Sequence, residues 1–336
     1  MQDMKTILDV AKIAKTSTAT VSHVINGTRF VSDELQKRVK DAMKELNYKP
    51  NMMARGLKGG SMKTIGVIVP DCTNTFFSEI SREIDRCCFS RGYNIILCNT
   101  DNNVEQQSCY TNMLISKQVD GVIIISSDDS DDDVNRLDEA SIPVVIADRL
   151  VNHKSADNII VANEKGGYLA TKYLLSLGFR KIGCIGGPIF ISSSSQRVAG
   201  YKRALLEEGI EIRDEYITYG DFHFAGGIDA FEKYKIMEDK PKAIFATNDM
   251  MALGFINGLN FAGMNVPSDI SVIGFDDTQL SRMSIPKLTT IAQPLKQLAQ
   301  IATDLILKRI ENNEDEVSQI ILEPVLIERE SCRRRN

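Results

Sequence analysis

The sequence predicts an α/β protein: a small all-α head followed by a two-lobed body of doubly wound parallel sheets. Three observations predict it. From Thr64 onward, short β-branched runs alternate with helical stretches, the alternation that parallel sheets covered on both faces require. The first 63 residues carry no such runs and read as short helices. Charge divides at the same place. Those 63 residues hold twelve Lys/Arg against six Asp/Glu, a net of +6, and the remaining 273 hold 28 against 39, a net of −11.

At 336 residues the chain exceeds one compact core, so two or three domains are expected. No apolar run approaches the roughly 20 residues that span a bilayer. Met1 to Val10 is polar and runs straight into a helical pattern, unlike a signal peptide, so a cytoplasmic protein with no membrane partner is expected. Cysteines 72, 87, 88, 98, 109, 184 and 332 are odd in number and form no C-x-x-C, which points to reduced thiols. With three scattered histidines, no metal site and no cofactor are expected.

In the head, Thr6 followed by Asp9 fits the start of a helix whose apolar face is Val10, Ala11 and Ala14. Lys15-Thr16 breaks it, and Ser17 caps a second helix, Thr18 to Ile25. Val21, Val24 and Ile25 point inward there and leave Thr18, Ala19, Thr20, Ser22 and His23 outside. A third helix begins after Ser32 and runs to about Leu46. Two short helices joined by a tight turn, the second displaying small polar side chains, can enter a DNA major groove. The basic excess supplies phosphate attraction. A generic three-helix bundle with a solvated basic face fits the same pattern. Tyr48-Lys-Pro50 stops the third helix. Asn51 can cap a short helix through Leu57, marginal alone in water, whose Met52, Met53, Ala54 and Leu57 suit an apolar wedge in the minor groove. An ordinary interdomain linker fits it as well.

In the body, the runs Thr64–Val69, Tyr93–Cys98, Gly121–Ile125, Val144–Ala147, Ile159–Val161, Ile182–Ile185, Ala243–Ala246 and Ser271–Phe275 read as strands. They fall into two halves with a seam at Ala162 to Glu164. The acidic run Asp128 to Asp133 reads as a solvated turn and helix start. Gly183 to Gly187 lacks G-x-G-x-x-G, so no dinucleotide fingerprint is present. Ligands of such sheets bind beyond the carboxyl ends of the strands. There the sequence offers Asn74, Phe76, Phe77, Asp148, Arg149, Arg197, Phe222, Asn248, Asp276 and Gln293. Rings cover the apolar faces of a sugar, and carboxylates, amides and guanidiniums bond its hydroxyls. Phe76 and Phe77 also suit a core, Asp148-Arg149 an ion pair, and Asn248 and Asp249 helix caps, Asp249 in particular. No Ser-His-Asp or Cys-His pairing appears at strand ends, so no enzyme is expected.

Several motifs carry a family resemblance along essentially the whole chain. Asp9-Val-Ala11, Thr20-Val-Ser-His-Val-Ile-Asn26, Leu46-Asn-Tyr-Lys-Pro-Asn51 and Ala54-Arg-Gly-Leu-Lys58 resemble the head and hinge of the lactose-repressor (LacI) family. Asn74-x-Phe76-Phe77, Asp148-Arg149, Arg197, Gly220-Asp-Phe222, Asn248-Asp-x-Met-Ala-Leu-Gly254, Gly274-Phe-Asp276 and Thr290-Ile-Ala-Gln293 resemble the ligand positions of ribose-binding proteins that share the periplasmic-binding-protein-like body. The resemblance implies a homodimeric repressor that holds double-stranded operator DNA. Its contacts would come from Thr6, Ser17, Thr18, Ala19, Thr20, Ser22, His23, Asn26 and Arg29 in the head and from Asn51, Ala54, Arg55, Leu57 and Lys58 in the hinge. Thr18, Ala19 and His23 would choose the base sequence, and Leu57 would wedge into a central base step. It also implies D-ribose as effector, since purine-responsive members carry a tryptophan beside the matching aspartate and this chain has no Trp. The domains implied are 1–50 as head, 51–61 as hinge helix and linker, 62–162 with about 291–322 as one effector subdomain, and 163–290 with about 323–330 as the other. Lys15-Thr16 departs from the Gly-Val common in the family's turn, and His23 from its more frequent arginine.

Val119-Asp-Gly-Val122 and Ser281-Arg-Met-Ser-Ile-Pro286 also resemble the catabolite-control branch, whose main effector is a phosphorylated carrier protein. The complete sugar set and His23 weigh against that partner. The basic head weighs against an exported sugar-binding protein, and the missing glycine fingerprint against an NAD-linked enzyme.

Overall fold

The β-branched runs of the body become strands buried on both faces, as their unbroken apolar character requires. The computed structural model describes residues 5–26, 29–48, 61–125, 131–148, 153–312 and 317–334. It divides into two units, Met1–Met62 and Lys63–Asn336. Asn51, Ala54, Arg55, Leu57, Lys58 and Arg149, together with Asp128 to Ser130, lie outside the described residues.

The first unit holds α1 (Ile7–Ile13), α2 (Thr18–Asn26) and α3 (Asp33–Glu45). Its core is Val10, Ala11, Ala14, Val21, Val39 and Ala42, with Ile7, Val24, Ile25, Met43, Leu46 and Tyr48 packed around them.

The second unit begins with β1 (Thr64–Val69), α4 (Thr75–Ser90), β2 (Asn94–Asn99), α5 (Val104–Ser116), β3 (Gly121–Ile124), α6 (Asp132–Glu139), β4 (Val144–Ala147) and β5 (Ala156–Val161). It continues with α7 (Asn163–Ser176), β6 (Ile182–Gly186), α8 (Ser192–Glu207), β7 (Ile217–Tyr219), α9 (Phe224–Ile236), β8 (Ala243–Ala246), α10 (Asp249–Phe261), β9 (Ser271–Asp276), α11 (Gln279–Met283) and β10 (Thr289–Ala292). It closes with α12 (Leu295–Asn312), β11 (Gln319–Leu322) and β12 (Val325–Ile327).

Two six-stranded sheets result. One has the order β11-β5-β4-β3-β1-β2 and is parallel throughout. The other has the order β12-β10-β9-β8-β6-β7 and is parallel except at one edge, where β12 runs antiparallel to β10. That edge departs from the all-parallel expectation because the chain enters β12 directly from β11 of the other sheet, without a crossover helix from β10. Three links join the lobes: from β5 to α7, from β10 to α12, and from β11 to β12. The second follows Ala292, two residues beyond the crossing expected from sequence.

Helices cover both faces of each sheet. In the first lobe, α4 and α12 bury Ile80, Ile84, Leu298 and Ile306 on one face, and α5 and α6 bury Leu114 and Leu137 on the other. In the second, α7 and α8 bury Leu174 and Tyr201, and α9 and α10 bury Phe231 and Phe255. Each such side chain contributes about 1.5–3 kcal/mol on burial. Helices α7 and α8 approach very closely. A Cβ on Gly167 would lie 2.0 Å from the carbonyl oxygen of Arg197, and one on Gly200 2.0 Å from that of Glu164. Only glycine at both positions permits the packing that carries Arg197.

The acidic run is not wholly solvated. Asp133 is buried; its carboxylate accepts from Gln107 Nε2 at 2.7 Å and pairs with Arg136. That buried hydrogen bond ties α6 to α5, which a charge pattern alone does not reveal. All seven cysteines are free thiols. Among the described residues, no helix is long and apolar enough to cross a membrane.

Candidate functional site

The strand ends of both lobes converge on one cavity of about 470 Å³. Nine of the ten sugar positions expected from sequence line it: Asn74, Phe76, Phe77, Asp148, Arg197, Phe222, Asn248, Asp276 and Gln293. The tenth, Arg149, lies outside the described residues.

The first lobe contributes a helix start. Asn74 caps α4, its Oδ1 accepting from Phe76 N at 3.1 Å. This fixes the first turn so that Phe76 and Phe77 sit edge to face, 5.2 Å apart between ring centroids. Asp148 follows β4 with φ +70°.

The second lobe contributes a buried polar network. Arg197 Nε donates to Asn163 Oδ1 at 2.8 Å, and its Nη1 donates to the Thr247 carbonyl at 2.7 Å and to Asp276 Oδ1 at 3.4 Å. Its guanidinium lies 3.8 Å over the Phe275 ring. Gln293 Nε2 donates to the same Asp276 oxygen at 2.7 Å. Asn248 caps α10, accepting from Met251 N at 3.0 Å, and donates to the Phe222 carbonyl at 2.7 Å. Asp276 at φ +118° and Phe222 at φ +68° join Asp148 in backbone conformations that L residues rarely adopt. Such strain persists only where surrounding contacts over-determine it, and it clusters at ligand sites.

Burial pushes the Asp276 carboxyl above the usual carboxylate range, an effect the neighbouring Arg197 partly offsets. Gln293 Oε1 is buried without a hydrogen-bond partner in the protein, an acceptor suited to a ligand hydroxyl. Asp249, expected as a helix cap, does something else. Its carboxylate accepts from Thr278 N at 2.8 Å and from the Thr278 and Thr290 hydroxyls, tying α10 to the strands beneath the site. The cap is Asn248.

Sequence reasoning missed Asn163 and Thr247, which hold Arg197 from other elements, and Asp71, Phe190, Ser193 and His223, which also line the cavity. Asp71 stands just beyond β1 and Ser193 at the start of α8, so their strand-end positions were the available signal. Two contacts tie the lobes across the cleft. Gln279 N at the start of α11 donates to Glu79 Oε1 of α4 at 2.6 Å, and His223 Nδ1 lies 3.5 Å from Asp71 Oδ2.

The head is a separate candidate surface. Thr6 N and Oγ1 both donate to Asp9 Oδ2 at 2.8 Å, closing the start of α1. Thr20 N donates to Ser17 Oγ at 3.1 Å, closing the start of α2. Between them Lys15 sits at φ +51°, and Thr16 N returns to the Ala11 carbonyl at 3.0 Å. The turn is thus a left-handed helix stop of the kind glycine prefers, held here by lysine. Arg38 of α3 steadies it, donating to the Ala14 and Lys15 carbonyls. Ser17, Ala19 and Arg29 are exposed, and Thr18, Thr20, Ser22 and His23 are half-buried along α2. Asn26 ends α2, and its side chain lies outside the described set.

Two family models match the chain. Residues 6–51 match bacterial regulatory proteins of the lacI family, and residues 62–330 match periplasmic binding proteins and the sugar binding domain of the LacI family. The chain belongs to the LacI family. It is a DNA-binding transcriptional repressor of LacI type with a sugar-binding domain, and its relatives are repressors rather than enzymes. The HTH-type transcriptional repressor PurR of Vibrio vulnificus (strain CMCP6) is 41% identical over 334 residues, 99% of this chain and 100% of that one. A lac repressor dimer bound to operator and the anti-inducer ONPF superposes with TM-score 0.85 at 30% identity, covering 97% of this chain and 98% of that one. A LacI family regulator from Enterococcus faecium with bound ribose superposes with TM-score 0.74 at 33% identity, covering 81% of this chain and 100% of that one. LacI-family repressors bind operator DNA and small-molecule effectors and act as dimers.

Proposed function

We propose that this repressor is a homodimer that responds to D-ribose and controls genes for ribose uptake and catabolism. One observation carries the choice of effector: the Arg197–Asp276–Gln293 network lies in one cavity with Phe76, Phe77 and Phe222, so hydroxyl partners and ring-stacking faces converge. A relative with bound ribose supports the reading, and the PurR relatives leave it to be tested. The sugar's hydroxyls would bond Asn74, Asp148, Arg149, Arg197, Asn248, Asp276 and Gln293, and its faces would lie against the three rings.

In the same proposal Thr18, Ala19 and His23 read bases. Thr6, Ser17, Thr20, Ser22, Asn26 and Arg29 position the head on the operator, and the hinge positions Asn51, Ala54, Arg55, Leu57 and Lys58 enter the minor groove. Head 1–50, hinge 51–61 and two interleaved effector lobes are the working division. Sugar closes the cleft, and closure withdraws the hinges from the operator. The coupling required is modest, about 1–3 kcal/mol.

Calorimetric titration of the full-length protein with D-ribose tests this, with arabinose, xylose and hypoxanthine as controls and operator binding measured with and without ribose. The expected result is saturable, ribose-selective binding that weakens the operator complex. Binding of hypoxanthine in preference to ribose would sink the effector assignment.

A further inference from the structure

The cavity's hydrogen-bonding side chains lie deep beside the buried ring of Phe76, and its mouth carries exposed apolar side chains among polar ones. Asn74, Arg197, Asn248, Asp276 and Gln293 are only 2–6% exposed. Phe190, on the link between β6 and α8, is 80% exposed, and Val104, the first residue of α5, is 55% exposed. Both line the same cavity, one from each lobe, with Pro70 and Pro188 beside them. Single exposed apolar side chains need no explanation. Two that converge from different lobes on the mouth of one polar-floored cavity do. A pentose of about ten non-hydrogen atoms satisfies the floor and leaves the lip without a partner, in a cavity of drug-sized class.

We propose that the effector is a ribonucleoside, its pentose on the floor and its heterocyclic base against Phe190 and Val104 at the lip. The proposal rests on the ribose reading of the floor. A base is the glycosyl substituent whose flat face suits an aromatic and aliphatic lip, and aromatic side chains stack on it with little regard to its identity. Asn102, also at the lip, carries an amide able to meet a base edge. Charge separates the nucleoside from its phosphate. Asp71, Asp148 and Asp221 outnumber the guanidiniums of the site, Arg197 among the described lining residues and Arg149 of the proposed set, and Arg197 is already bonded to Asn163, Thr247 and Asp276. Such a site repels a phosphate group, which seeks clustered arginines or lysines.

The test is calorimetric titration of the full-length protein with D-ribose, methyl β-D-ribofuranoside, inosine, uridine and inosine 5′-monophosphate. Both nucleosides are expected to bind at least about tenfold more tightly than ribose or its methyl glycoside, the scale of one stacked base. The monophosphate is expected to bind more weakly than inosine. Phe190→Ala is expected to bring the nucleosides back to the affinity of ribose and to leave ribose unchanged. Phe190 is exposed, so the variant keeps its fold. Nucleosides bound no more tightly than ribose would overturn the base subsite and leave the ribose reading standing. Nucleosides bound where ribose is not would keep the base subsite and remove the free sugar as effector. Failure of all five ligands would remove both.

Discussion

The two lobes meet the same ligand space in different ways. The second lobe offers side chains already locked. Arg197 is held by Asn163, the Thr247 carbonyl and Asp276, and Asp276 in turn by Gln293. The first lobe offers a capped helix start and two rings, surfaces that make contact without a fixed hydrogen-bond geometry. The difference implies an order of events. Under the proposed function, ligand would dock on the pre-organised network, whose ordering cost is met on folding, and the first lobe would then close its rings over it.

The sharpest way to break that comparison is Arg197→Met. It leaves Asp276 buried without its cation, so the sugar-free protein should lose about 3–5 kcal/mol of stability, and ribose binding should vanish. Thermal unfolding and calorimetry report the two effects. A stable variant that still binds ribose would show that the network does not anchor the ligand.

Acidity comes next in size. Sugar hydroxyls donate to a carboxylate and therefore favour its charged form, which burial disfavours in sugar-free Asp276. Binding then lowers the Asp276 pKa and releases a proton. Ribose affinity should rise with pH above the ordinary carboxylate range, with a slope of at most about tenfold per unit. Titrations in buffers of different ionisation enthalpy reveal the proton directly. The sign for folding is opposite. A carboxyl raised in the folded state contributes stability that is full at low pH and is lost as pH rises through its folded value, so the sugar-free midpoint of unfolding should fall over the same range. Affinity that falls with rising pH would place the ligand away from Asp276.

Phe77→Ala probes the first lobe. Losing one stacking face should weaken ribose about tenfold, while stability falls less than in Arg197→Met. Equal damage to stability would make Phe77 part of the core rather than a lid. The smallest effect is expected from Glu79→Gln, which weakens the bond to Gln279 N across the cleft and should shift ribose affinity about two- to fivefold. Since that contact ties the lobes and touches no ligand, the shift should appear for every ligand alike, whereas a ligand-dependent shift would assign Glu79 to recognition.

Most of the fold was legible because its central strands are continuous β-branched runs, and the short length and β-branched content of Gly121–Ile124 and Val144–Ala147 favour a buried strand over a buried helix. The edge strands β11 and β12 were not. Gln319–Leu322 and Val325–Ile327 are short, partly exposed and separated by two residues, and no local pattern says that they join different sheets. The cavity-lining residues were legible as types at strand ends. Their supports were not, because Asn163 and Thr247 meet Arg197 from 34 and 50 residues away. Lys15 departs from the family's usual turn residue, yet the turn forms. A lysine tolerates the left-handed backbone at a cost of about 1 kcal/mol, which the bonds from Arg38 help to offset.

The three links between the lobes carry a consequence for biosynthesis. Leu298, Ala299, Ala302 and Ile306 fill the core beneath β3, β4 and β5, and β11 completes the edge beside β5, yet both are made only after β6 to β10 of the second lobe. The second lobe has nearly all its strands before then. The half of the body made first should therefore wait, with an open sheet edge, until nearly all of its neighbour has been made. Nascent-chain arrest just before α12 should expose that edge to chaperones, and arrest after β11 should hide it.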